Sequence, residues 1–119
     1  ECVLVSWELF VSSYSPAHPE QNRLLHLLRT YRRDALWLRV VQVYELTTQL
    51  PQAVFDVVDA DGHIIPDASG RIRTHTLQLY SPTMRLSPGQ WVHLVRRGSS
   101  VLVWVQPLAL GFAEPAGKG

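Results

Sequence analysis

The sequence predicts a mainly β domain with one N-terminal helix, its strands forming a small antiparallel β-barrel or, alternatively, an α+β twisted sheet. Three observations predict this. Apolar residues alternate with period two over several long stretches from Ala35 onward. Only one segment, "PEQNRLLHLLRTYRRD", sets its leucines at helical spacing. Short clusters of Pro, Gly, Asp and Ser separate the stretches, and antiparallel strands need no more than that.

Each element has its own signal. Cys2 to Ser13, "CVLVSWELFVSS", is β-branched and aromatic and reads as a strand. "YSPAHPE" ends it with two prolines, and Pro19 then stands in the first helical turn, where its missing N–H leaves no bond unmade. Leu24, Leu27, Leu28 and Tyr31 form the apolar stripe of the helix, with Gln21, Arg29 and Arg33 opposite. Glu20 at its start and Arg32 and Arg33 at its end suit the helix dipole. Ala35 to Leu50 is a long strand. Leu36, Leu38, Val40, Gln42 and Tyr44 share one face, and Trp37, Arg39, Val41 and Val43 the other. "AVFDVVDA" is a further strand, and "DADGHIIPDASG" is a turn region with a tight turn at Asp61-Gly62. Arg71 to Tyr80 alternates again. After the connection "SPTMRLSPG", Gly89 to Leu110 form a hairpin about "RRGSS".

The length of 119 residues fits one domain, residues 1–113, with 114–119 as a flexible tail. A net charge of +1 excludes a general polycation, so contact with nucleic acid needs a local patch. The basic residues are ten arginines and Lys118, and arginine forks suit carboxylates, phosphates and aromatic faces. One cysteine, Cys2, allows neither an intrachain disulfide nor a multi-cysteine zinc site, which leans the reading toward an intracellular compartment. No apolar run is long enough to span a membrane, and "ECVLVSWELF" lacks the basic start of a signal peptide. Its first residue is not Met, which reads as a fragment or a processed chain.

Several quoted segments carry a resemblance. "LWLRVVQVYEL" reads as a long first strand, and "AVFDVVDADGHI" as a strand followed by a D-x-x-G turn. "RLSPGQWVHLVRRGSSVLVWVQPLAL" reads as a closing hairpin ending in V-x-P-L. Together, from Leu36 to Leu110, they resemble the OB-fold superfamily, which implies single-stranded nucleic-acid binding or subunit assembly. Two departures keep a different barrel or an α+β sheet open. The short "SPTMRL" stands where that fold has a helix, and an extra strand and helix precede the resemblance.

Indole platforms for bases and cations for phosphates are what single-strand binding needs. Trp37 and Arg39 share a strand face, and Arg71, Arg73, Arg96 and Arg97 sit near turns that a barrel would gather, with Arg85 beside them. The competing structural reading makes the tryptophans core and the arginines solvated. Asp56, Asp59, Asp61, His63 and Asp67 crowd one loop, but the third oxygen ligand and the terminal glutamate of a calcium loop are missing, so an Asx turn is expected. The histidines, His18, His26, His63, His75 and His93, form no H-x-x-x-H pair. There is no G-x-S-x-G, no phosphate-binding glycine loop and no activating context for Cys2. The chain therefore reads as non-catalytic, without metal or cofactor.

Both faces of the closing hairpin are largely apolar, which a sheet with one wet face does not show. Trp91, Leu94, Leu102 and Trp104 are the candidate partner interface. The expected function is a non-catalytic, OB-like subunit of a multiprotein assembly that contacts single-stranded DNA or RNA through Arg and aromatic residues. The alternative is a scaffolding domain that docks a protein partner or a second copy and binds no nucleic acid.

Overall fold

The computed structural model describes residues 12–44, 52–78 and 86–106. Its elements are β1 (Ser12–Tyr14), α1 (His18–Tyr31), β2 (Ala35–Tyr44), β3 (Gln52–Val58), β4 (His75–Leu77), β5 (Trp91–Arg97) and β6 (Ser100–Val105). The strands form one antiparallel sheet in the order β1-β6-β5-β2-β3-β4. Among the described residues the chain is thus mainly β with one helix. Closure into a barrel would require β1 and β4 to pair, and among the described residues they stand at opposite edges. Most of the strand expected at Cys2–Ser13, the continuation of β2 to Leu50, "SPTMRL" with Arg85 up to that residue, and the tail lie outside the described residues.

α1 lays its predicted stripe on one face of the sheet. Leu24, Leu27, Leu28 and Tyr31 are buried against Leu36 and Leu38 of β2, Phe55 and Val57 of β3, Val92 and Leu94 of β5, and Val101 and Val103 of β6. Ala17 caps the helix with extended backbone and no side-chain bond. The helix ends at Arg32, whose left-handed backbone (φ 54°) lets its N–H and that of Arg33 reach back to Arg29 and Leu28 carbonyls. That conformation costs an arginine about 1 kcal/mol that glycine would not incur.

Gln21 does not simply face solvent. Its amide oxygen accepts from the Val101 N–H at 2.7 Å, and its amide nitrogen donates to the Val101 carbonyl at 3.0 Å. β1 pairs only with Val103 to Val105 of β6, so Val101 would otherwise show water an open strand edge. The side chain completes the ladder there and pins the helix to the sheet. Gln21→Ala is expected to lower unfolding free energy by about 1 kcal/mol per bond lost, read by denaturant titration.

Two sequence expectations change. A bulge after Val40 resets the register of β2, so that Gln42 pairs with Val54 and Val43 with Ala53. Val43 therefore packs on the core, while Gln42 and Tyr44 leave the face of Leu36 that simple alternation assigned them. The strand expected over Arg71–Tyr80 shrinks to His75–Leu77 among the described residues. Its start is bent away by Asp67, whose carboxylate accepts from the Ser69 N–H and hydroxyl and the Arg71 N–H.

Candidate functional site

The face of the sheet away from α1 carries the tryptophans. Ser13, Trp104, His93, Trp37 and Val58 stand opposite one another on five neighbouring strands, forming a single cross-strand row. The Trp37 and His93 rings stack with centroids 3.6 Å apart and planes 6° from parallel. Trp91, one row further along, meets Trp37 edge to face at 5.9 Å. Such pairs add roughly 0.5–1.5 kcal/mol beyond the area they bury. Leu102 and Val95 pair in the row on the other side. Trp37, Trp91, Trp104, Leu102 and Val95 are all half-buried, while His93 is 5 % exposed. Burial alone pushes the His93 imidazole down to about 4, so it is neutral at physiological pH.

Arg39 closes the row beside Trp91. It lies opposite Trp91 on one side and Asp56 on the other, with its guanidinium 3.8 Å from the Asp56 carboxylate and donating to the Gly62 carbonyl at 3.2 Å. Gly62 comes this close through a backbone with φ 89°, a region that a side chain would strain. The turn before it is the Asx turn that the sequence predicts. One Asp59 carboxylate oxygen accepts from the Asp61 and His63 N–H groups, which holds that carboxyl below its ordinary range. Asp59, Asp61 and His63 bring one ligand atom each within 4.8 Å of the others, but this is a loop whose leading carboxylate is already bonded to its own backbone.

The predicted site residues do not form one surface. Trp37 and Arg39 lie on the face away from α1 with Trp91, Leu102 and Trp104. Leu94 lies on the other face, fully buried against α1, because it alternates with His93. It is core, and its place in a partner interface is corrected accordingly. Arg73 also lies on the helix side, where it pairs with Asp67 at 3.2 Å, and Arg71 is bound into the same loop through its backbone. Arg96 and Arg97 flank the hairpin turn. Arg96 donates to the Gly98 carbonyl and stands 3.9 Å from Asp34. The sheet thus separates the tryptophans from Arg71 and Arg73. Asp67 makes Asx-type bonds like those expected of the Asp-rich loop; what the sequence did not show is that they bend the chain and orient Arg73.

No helix among the described residues is long and apolar enough to cross a membrane. No protein-family model, curated protein or solved structure matches the chain.

Proposed function

We propose that this chain is a non-catalytic assembly domain that docks through its tryptophan face, with a second copy of itself as the partner. The observation that carries this reading is the face itself: among the described residues, three half-buried tryptophans stand with Leu102 and Val95, and α1 packs on the opposite side. Aromatic clusters of this kind supply the anchors of protein interfaces. The charge on the face favours a protein over a nucleic acid. Arg39 is paired with Asp56, which leaves the exposed Arg97, at the hairpin end of the same face, as the main cation a phosphate backbone would meet there. A copy related by a twofold axis meets the same apolar centre, and the Arg39–Asp56 pair gives each charge an opposite to approach.

Sedimentation equilibrium tests this. The wild type is expected to dimerise, and Leu102→Asp to be monomeric while keeping its far-UV circular dichroism, because an unpaired charge in a desolvated interface is costly. A wild type that stays monomeric at every concentration sinks the reading. Single-strand binding through Arg and aromatic residues is the competing function. It requires an affinity for single-stranded DNA or RNA that falls steeply with salt and is lost on Trp37→Ala.

A further inference from the structure

We propose that the groove between α1 and β4 binds a phosphorylated small molecule of nucleotide size. It lies on the helix side of the sheet and is independent of docking at the tryptophan face. Two adjoining concavities, each of about 440 Å³, share Thr30 and Arg73. That volume falls within the roughly 300–1,000 Å³ of ordinary small-molecule sites. Asn22, Arg23 and His26 of α1 wall the larger one, with Arg73 and His75 across from them and the buried Leu27 and Leu77 beneath. The smaller one adds Arg29 and Arg32.

Among the described residues, four arginines and one carboxylate line the groove, and Glu20, one turn before Arg23 on α1, is a second carboxylate that feels the Arg23 charge. The lining carboxylate, Asp67, has a side chain 2 % exposed, is bonded to Ser69 and Arg71 and offsets part of the Arg73 charge, so the site's excess positive charge rests on Arg23, Arg29 and Arg32. It orients Arg73, whose side chain remains 50 % exposed. Planar guanidinium forks match phosphate oxygens in paired N–H···O bonds. His75 is fixed in turn, its Nε2 hydrogen-bonded to the Tyr31 hydroxyl at 2.8 Å. Arg23 and His26 sit in the middle of α1, away from the negative end of the helix dipole. Leu27 and Leu77 are themselves buried and floor the groove, so the planar groups beside the arginines are the exposed His26 ring and the half-buried His75 ring.

The test is an NMR titration of the full 119-residue chain at low salt with adenosine 5′-monophosphate, adenosine and inorganic phosphate. The monophosphate is expected to give saturable shifts confined to the groove amides, and inorganic phosphate to reverse them. Adenosine is expected to bind about tenfold more weakly or worse, and Arg23→Gln and Arg73→Gln each to weaken the monophosphate by about tenfold or more. Arg23→Gln, at an exposed helix position, keeps the test valid if loss of the Arg73 ion pair loosens the loop. Adenosine binding as tightly as its monophosphate, an unchanged affinity in Arg23→Gln, or the absence of saturable shifts overturns the proposal.

Discussion

Leu94→Ala is expected to cost about 2–5 kcal/mol of stability and to leave association unchanged in whatever fraction stays folded. Leu94 is completely buried in the middle of β5, between α1 and the sheet, with Leu36 and Val103 opposite it on the flanking strands. Removing its branched end leaves a cavity that two strands and a helix cannot all collapse into, so the lost transfer energy and the cavity cost add. Leu102 is the informative contrast. It belongs to the same hairpin but lies on the opposite face and is half-buried. Leu102→Asp should therefore change the sedimentation profile more than the denaturation midpoint, and Leu94→Ala the reverse. Equal stability losses from both, with no change in association, would mean that both faces are core within the single chain.

Acid is expected to destabilise the domain in two stages, the first belonging to His93. Burial holds the folded imidazole at about 4, against 6.5 for an unfolded one. Between those values the unfolded chain binds the extra proton, so stability rises with pH. The contribution is complete above about 6.5 and is lost as pH falls toward about 4. Allowing for solvent screening, its size is about 2 kcal/mol. A protonated ring over the Trp37 face would recover about 0.5–1 kcal/mol of cation–π attraction, which is less than burial costs it. His75 acts in the same direction, lowered first by burial and then by the Arg73 charge. The second stage belongs to Asp67 and Asp59. Hydrogen bonds, led by that from the Ser69 hydroxyl for Asp67 and by the His63 N–H for Asp59, hold both carboxyls below their ordinary range. Their contribution is present above the unfolded aspartate value near 3.9 and is lost below it. Denaturant titrations across pH measure both stages. His93→Phe keeps a ring to stack on Trp37 and should flatten the upper stage; an unchanged slope would remove His93 as its cause.

The amino-acid order determined the local structure wherever one physical period ran unbroken. Leu24, Leu27, Leu28 and Tyr31 specify a helix with one buried stripe, and that is the stripe found buried. The alternation through Trp91–Arg97 and Val101–Gln106 sorts the hairpin into the two faces observed, and Gly98 turns it with φ 63° between Arg97 and Ser100. Asp59 and Gly62 specify their own turn because the bonds involved are only two to four residues long. What depended on distant partners was not written in any local period. The bulge after Val40 shows only in the pairing of β2 with β3, beyond the end of its pairing with β5, and it reverses the sides of the described β2 residues that follow it. The clamp of Gln21 on Val101 joins residues 80 apart in sequence. Whether the arginines share a surface with the tryptophans was decided by which side of the sheet α1 covers. The loop bent by Asp67 carries Arg73 to that side, and Trp37, Trp91 and Trp104 were left on the other. Alternation fixes which residues of a strand point together, but only the packed helix distinguishes the inside face of a doubly apolar sheet from the outside one.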